Sequence, residues 1–350
     1  MHVANFQEIN ITRNHPDLSI VMPVYNAIDT IYRSVNSFLG LAEKLLNNYD
    51  INCSLYIVDD FSTDRTTQAA DDLSQSHNNI FFIKNDQNIG PGLSRNKALE
   101  LIEDGYVGFL DADDEIINND YVDSYVKGVS LGADWITFNG WFCSAGVKNS
   151  KYDFDRLTDD TEQLSIKCRR GELDGSVIFS IYSLQLIRDN NLNFPGGYYE
   201  DIPFAYNAML LAKKRYISNN FSYKKHSVST SIVNTISEKH IKGIIDAWLR
   251  IDSLLEDYKS LNSQSDQMYG VYGYIANLIT SIILSDHSDQ FKIKLFSFLF
   301  LKIETELDLN KIYNIETKKD KLVEYFQKNF PQKKTTFVSD INFFYKHLFN

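Results

Sequence analysis

Cysteine is scarce in this chain: Cys53, Cys143 and Cys168 are its three, odd in number and without metal-ligand spacing. That disfavours a disulfide framework and reads as structural thiols in a reducing compartment. Positive charge is also short, with 35 Lys and Arg against 46 Asp and Glu, a net charge of −11. Nucleic acid is recognised through a basic face, so the balance argues against such a partner. No apolar stretch reaches the roughly 20 residues that a bilayer-spanning helix needs; the best runs, 275–284 and 295–301, stop short. Residues 1–18 are polar, include Arg13, Asn14, His15 and Pro16, and lack the apolar centre of a secretory leader. No Gly-x-Gly-x-x-Gly turn follows the first apolar run, which excludes the usual nicotinamide-dinucleotide cradle.

What is present is an ordinary globular composition, 43% apolar and 23% charged over 350 residues, enough for a domain of about 200 residues and a second piece. Tyr and Phe are abundant at 21 and 23 residues, which suits base or sugar stacking and a plain aromatic core alike. Short strands alternate with helices through the first third. Strands are expected over 19–26, 53–58, 80–84 and 107–110, and helical spacing links Ile28, Ile31, Val35, Phe38, Leu41 and Leu45. Ser62 and Asp64 offer N-caps for a helix to about Ser74, and another helix runs through Arg95, Ala98, Leu99 and Ile102. Such alternation predicts a parallel sheet between helices, with ligands beyond the carboxyl ends of the strands. Those ends carry Tyr25-Asn26, Asp59-Asp60 and Asp111-Ala112-Asp113.

Asp111, Asp113 and Asp114 leave the fourth strand almost together. Carboxylates so crowded repel one another, and a hard divalent cation that shares its other positions with phosphates is the simplest counter-charge. The bland reading is an acidic turn that caps the next helix. Further strands are expected at 135–138, 141–143 and 177–182, with 145–173 a polar loop or excursion over the site. A flexible loop through Pro195, Gly196 and Gly197 leads to Glu200-Asp201, which opens a helix. The dipole of that helix makes simple capping the competing role for the pair. Beyond a boundary near 233–238 the pattern becomes helical, at 241–255, 272–283 and 291–303. The tail from Lys311 sets eight Lys against four acidic residues among aromatics, a composition compatible with anionic lipid headgroups or with a solvated helical face.

Taken in order, Ser19-Ile20-Val21-Met22-Pro23-Val24-Tyr25-Asn26, Val58-Asp59-Asp60-Phe61-Ser62-Thr63-Asp64, Asn88-Ile89-Gly90-Pro91-Gly92-Leu93-Ser94-Arg95-Asn96 and Phe109-Leu110-Asp111-Ala112-Asp113-Asp114 resemble motifs of glycosyltransferase family 2. Glu200-Asp201 is similar to that family's Glu-Asp pair, and Tyr223-Lys224-Lys225-His226-Ser227-Val228-Ser229 to its Tyr-Arg-x-His-x-x-Ser segment. The resemblance spans 17–233. It implies a GT-A nucleotide-sugar-binding fold, an α/β mixed sheet flanked by helices, after an extension at 1–16 and before a helical domain at 234–350. It also implies an inverting transfer from a nucleotide-sugar, with UDP the expected nucleotide, to a glycan or lipid-linked glycan during surface-polymer synthesis.

By the same resemblance, Asp201 is the general base and Glu200 orients it or holds the acceptor. Pro23, Tyr25 and Asp60 serve the base of the nucleotide, Asp60 accepting from uracil. Arg95, Asp111 and Ala112 lie along the nucleotide, and Lys224 and Ser229 near its phosphates. Asp113 and Asp111 hold Mn²⁺ or Mg²⁺, with His226 a further ligand. Two departures stand out: Lys224 replaces the usual Arg, a point charge for a bidentate fork, and Ile181-Tyr182-Ser183-Leu184 only loosely echoes the family's acceptor segment. The expected location is cytoplasmic, with peripheral contact at the inner face of the plasma membrane and a homo-oligomer through the C-terminal helices both open. A sugar nucleotidyltransferase would need a Gly- and Arg-rich loop after the first strand, where Pro23-Val24-Tyr25-Asn26 stands. The remaining alternative is a non-catalytic nucleotide-sugar-binding scaffold in a polymer-assembly complex, against which Asp111, Asp113 and Asp201 all count.

Overall fold

The computed structural model describes residues 15–144, 147–152, 160–169, 173–227, 236–255, 278–279, 281–282, 285 and 287–306. Calls at 1–14, at Ser229, on most of 272–283 and on the basic tail lie outside them.

Strand β1 (Leu18–Val24) is buried almost throughout, because parallel neighbours pair with it on both sides. It lies between β2 (Cys53–Asp59) and β4 (Tyr106–Phe109), with β3 (Ile80–Lys84) beyond β2. Helix α1 (Ile31–Tyr49) buries Ile31, Val35, Phe38, Ala42 and Leu45, an i, i+4, i+7 stripe. It ends where Asp50 turns left-handed (φ 55°) and its N–H, with that of Ile51, returns to Leu46 and Leu45. Helices α2 (Thr66–Ser76) and α3 (Pro91–Leu101) make the next two crossovers, α3 opening with Pro91 at its first position. After β5 (Glu115–Ile116) and α4 (Asn118–Ser130), a long strand β6 (Trp135–Ser144) carries β7 (Val147–Tyr152) on part of its length.

The expected strands at 135–138 and 141–143 are therefore one. The polar stretch 145–173 is not all loop, since it supplies β7 and α5 (Thr161–Arg169). A turn of 3₁₀ helix at Val177–Phe179 precedes β8 (Ser180–Ser183) and α6 (Leu184–Asp189). Helix α7 (Asp201–Leu211), β9 (Arg215–Ser227), α8 (Glu238–Leu254) and α9 (Asp289–Glu306) follow. The sheet runs β3-β2-β1-β4-β8-β6-β9-β5, with β8 antiparallel to both β4 and β6. It is a mixed α/β sheet flanked by helices, as the motifs imply. The apolar face of α8 packs on α7, and Ile251 joins the main core rather than a separate one.

Pro23 shapes the cleft. Val21 O still accepts from Leu110 N (3.1 Å) on the β4 side, and Val24 O accepts from Asp60 N (2.8 Å) on the β2 side. Alternate residues of a parallel strand bond to opposite neighbours, so Pro23 faces the continuation of β4 and has no N–H to give it. The pairing of β1 with β4 ends at Val21 and Phe109, whereas that with β2 continues to Val24 and Asp59. Asp111 and its neighbours peel away, opening the sheet at its carboxyl edge.

Candidate active site

The acidic turn is held from two sides. From α1, Arg33 Nη2 donates to Asp113 O (2.5 Å), Ser34 Oγ lies 2.8 Å from both Ala112 O and Asp114 O, and Ser37 Oγ accepts from Ile116 N (3.0 Å). From β9, the Tyr223 hydroxyl accepts from Asp111 N and donates to Asp114 Oδ2, each at 3.0 Å, while His226 N donates to Asp114 Oδ1 (2.7 Å). Asp114 is thereby a buried anchor. Burial, Asp111 and Asp113 push its carboxyl well above the usual range. Asp113 is pushed up to about 6 by burial and then by Asp111, with Lys225 and Arg33 pulling the other way.

Period-two alternation along β9 sorts its basic residues. Lys224 Nζ (2.8 Å) and His226 Nε2 (2.7 Å) both reach Glu115 Oε1. Burial opposes the charge on Glu115, but these hydrogen bonds outweigh it and hold its carboxyl below the ordinary range. Lys225, on the other face with Tyr223, acts on Asp113, Asp114 and Asp201. Lys224 and His226 are therefore held at Glu115, and Lys225 is a cation of the strand that acts on the carboxylates. Strand register from Tyr223 was the signal that could have found Lys225.

Arg95 joins the two acidic groups. Its side chain is 6% exposed, with Nη2 2.9 Å from Asp111 Oδ1 and Nη1 2.7 Å from Glu200 Oε1. The guanidinium stacks on Phe194, 5.4 Å from the ring centroid. Burial works against its charge, yet Asp111 and Glu200 more than compensate and raise its pKa. The same helix grips the loop before α7 through Asn96, whose amide exchanges two 2.9 Å hydrogen bonds with the backbone of Phe194. Gly92 leaves room for it, because a Cβ there would meet Glu200 Cγ at 2.4 Å and Pro195 O at 2.8 Å. Asp201 follows Glu200 at the start of α7. Its carboxyl is pushed up to about 7 by burial and then by Glu200, and Arg95, Lys225 and Asp111 all act on it. The acidic turn and the Glu200-Asp201 pair thus share one electrostatic neighbourhood.

At the other end of the cleft Tyr25 is 51% and Phe61 46% exposed, on neighbouring loops tied by Asn26 N to Ser62 Oγ (3.0 Å). Phe61 holds a left-handed φ of 66°. Asp60 is buried, and both its oxygens are engaged: Oδ1 accepts from Asn85 Nδ2 (2.9 Å) and Ile89 N (2.8 Å), Oδ2 from Gly90 N (2.8 Å). Its first task is therefore to shape the loop that feeds α3. Asp59 is wholly buried and binds Ser62 N (3.1 Å) and Thr67 Oγ1 (2.6 Å), a supporting role.

Among the described residues, no group of three or more His, Cys, Asp or Glu side chains is arranged to hold a metal ion. A cation bound through one or two carboxylates and completed by substrate phosphates does not need one. Asp111 and Asp113, whose repulsion helps to raise Asp113, fit that mode and no closed protein cage.

Residues 19–129 match the model of glycosyl transferase family 2. The chain carries a family 2 glycosyltransferase domain. The poly(ribitol-phosphate) beta-glucosyltransferase of Bacillus spizizenii is 28% identical over 214 residues, 59% of this chain and 31% of that one. The chain thus spans less than a third of that relative's length. Among solved structures, S. aureus TarS 1–349 in complex with UDP-GlcNAc has a TM-score of 0.53 at 19% identity, covering 89% of this chain and 81% of its own. The mannosyltransferase PcManGT of Pyrobaculum calidifontis, in complex with GDP-Man and Mn²⁺, gives 0.50 at 13% identity, covering 83% and 81%. These likenesses show the GT-A-like fold of the family 2 domain. No helix among the described residues is long and apolar enough to cross a membrane.

Proposed function

We propose that this chain is an inverting, divalent-cation-dependent glycosyltransferase that moves a sugar from a UDP-sugar to a hydroxyl of a wall- or surface-polymer glycan, free or lipid-linked. The observation that carries the reading is the Arg95 fork, which ties Asp111 on the diphosphate side to Glu200 beside Asp201 on the acceptor side. The UDP-GlcNAc bound to TarS and the substrate named for the Bacillus relative support the donor and acceptor classes.

Asp113 and Asp111 would hold Mn²⁺ or Mg²⁺, which when bound acts as a Lewis acid for the negative charge of the leaving diphosphate. Lys225 adds a preorganised positive charge on the same side. Tyr25 and Phe61, exposed at the carboxyl ends of β1 and β2, offer flat faces to the nucleobase. Asp60 keeps the Gly90 loop in place beneath them, with Arg95 steadying the Asp111 side. Opposite, Asp201 takes the proton of the attacking hydroxyl as that oxygen bonds the anomeric carbon and the bond to the diphosphate breaks, and its raised pKa suits a base that works near neutrality. A single displacement with one base inverts the anomeric centre. Glu200, neutralised by Arg95, positions Asp201. The family's wider role for Ala112, Lys224, His226 and Ser229 stays a proposal; the described contacts place Lys224 and His226 around Glu115 and make Ala112 O an anchor for Ser34.

Asp201→Asn tests the assignment. With a panel of UDP-sugars and Mn²⁺, UDP binding is expected to stay within a few-fold while turnover falls at least about 100-fold. Loss of binding together with turnover would make the residue structural. Wild-type protein that binds UDP yet hydrolyses and transfers nothing would favour the scaffold reading instead.

A further inference from the structure

The loop that delivers Glu200 and Asp201 has a second wall, outside the segment matched to the family. Gly243 of α8 lies against Tyr198: a Cβ at 243 would meet Tyr198 O at 2.7 Å, Tyr198 Cβ at 2.8 Å and Tyr198 C at 3.1 Å. One turn earlier, His240 is 3% exposed, with Nδ1 2.8 Å from Ser237 Oγ. Its ring meets Tyr198 edge-on at 4.7 Å and Tyr199 at 6.4 Å between centroids. Tyr199 itself is held at φ 60°, a conformation that a bulky residue keeps only when its surroundings enforce it. It immediately precedes Glu200, and its hydroxyl, raised by burial, also feels Asp201. Gly92 of α3 closes on Glu200 and Pro195 from the other side. The segment 195–200 is thus pressed between two helices, each of which presents a glycine at the point of contact.

We propose that α8 is a positioning element for the base of this transferase, acting through Gly243 and His240 on the Tyr198-Tyr199 pair and so on Asp201. Neither residue touches the reacting atoms. Their effect is to hold the loop in the strained conformation that turns Glu200 toward Arg95. The proposal rests on Asp201 being the base. Sequence periodicity marks Gly243 only as a weak point in a helix, and the close approach to Tyr198 gives the reason it is tolerated.

Three variants of the full chain test it, with Asp201→Asn alongside, using the UDP-sugar hydrolysed fastest from UDP-glucose, UDP-galactose, UDP-GlcNAc and UDP-GalNAc with Mn²⁺. Gly243→Ala is expected to lower kcat at least about tenfold while the Kd for UDP stays within about twofold, with Tm falling only slightly because the helix preference of Ala partly offsets the contact with Tyr198. His240→Ala is expected to lower kcat in the same way. His240→Phe, which keeps a ring against Tyr198, is expected to recover it to within about threefold. Wild-type kcat in both Gly243→Ala and His240→Ala overturns the proposal. So does a fall in UDP affinity and Tm that parallels the fall in kcat, which means general disruption. If Asp201→Asn keeps full turnover, the base assignment fails instead, and the two failures are distinguishable.

Discussion

Replacing Arg95 with Met removes one charge from a buried pair and leaves its partner stranded. The Arg95 side chain is 6% and the Glu200 side chain 8% exposed, so water cannot take over at Glu200. Asp111, 30% exposed, can be re-solvated and loses less. Breaking a buried ion pair by removing one member costs about 3–5 kcal/mol, most of it the stranded charge. Met fills the space along Phe194, which limits the packing loss. With a urea m-value of about 3 kcal/mol/M, the unfolding midpoint is expected to drop by about 1–1.7 M. The double variant Arg95→Met, Glu200→Gln no longer buries an unpaired charge and is expected to regain more than half of that shift. Turnover should not return with it, because nothing then ties Asp111 to the loop before Asp201. The assay is urea unfolding followed by circular dichroism, run as a double-mutant cycle. A coupling below about 0.5 kcal/mol, the scatter expected of independent sites, would refute the bridge.

Asp113→Asn addresses charge repulsion in the acidic turn. The folded carboxyl titrates at about 6 against an ordinary 3.8, so the folded state binds the proton more tightly than the unfolded one. In cation-free protein it costs nothing below about pH 4, the cost grows as pH rises to about 6, and it stays a constant penalty above that. Two units at 1.36 kcal/mol each give at most about 3 kcal/mol, so the variant should be the more stable form at pH 8 and equal to wild type near pH 4. Adding Mn²⁺ should raise the Tm of wild type but not of the variant; a pH-independent difference would contradict the repulsion. Phe61→Gly should raise stability by about 0.5–1 kcal/mol, because glycine accepts a φ of 66° without strain, and weaken UDP binding roughly tenfold through lost stacking. Unchanged affinity by isothermal titration would remove Phe61 from the nucleotide site. Turnover governed by Asp201 is expected to rise with pH through about 7, as the base sheds its proton; a rate that falls over that range in the wild type argues for another base.

The sheet was legible where one side chain pattern admits one structure. Val21-Met22, Leu55, Ile57-Val58 and Val107 are buried on both faces and read as central strands, and the carboxylates at their ends follow from topology. Polar strand residues were harder. β6 continues through Asn139 and Gly140, which sequence pattern reads as a break, because pairing with β8 and β9 overrides local preference. β7 and α5 lack apolar periodicity, so a loop was the natural expectation there. Side-chain direction decided the basic segment: Lys224 and Lys225 are interchangeable by composition, and only the register of Tyr223 against the acidic turn separates them. Nor does any motif announce that α1 pins the turn through Arg33, Ser34 and Ser37, since those contacts join residues about 80 positions apart.

The imino ring at position 23 has a consequence for how the cleft rests when nothing is bound. Two adjoining ribbons of backbone tend to zip together wherever donor meets acceptor, and a crevice between them would ordinarily be liable to heal. Here the tooth is missing from the zipper, so covalent structure itself keeps the notch from closing at that rung. On the proposed function, no main-chain bond at that spot has to break to admit a donor sugar.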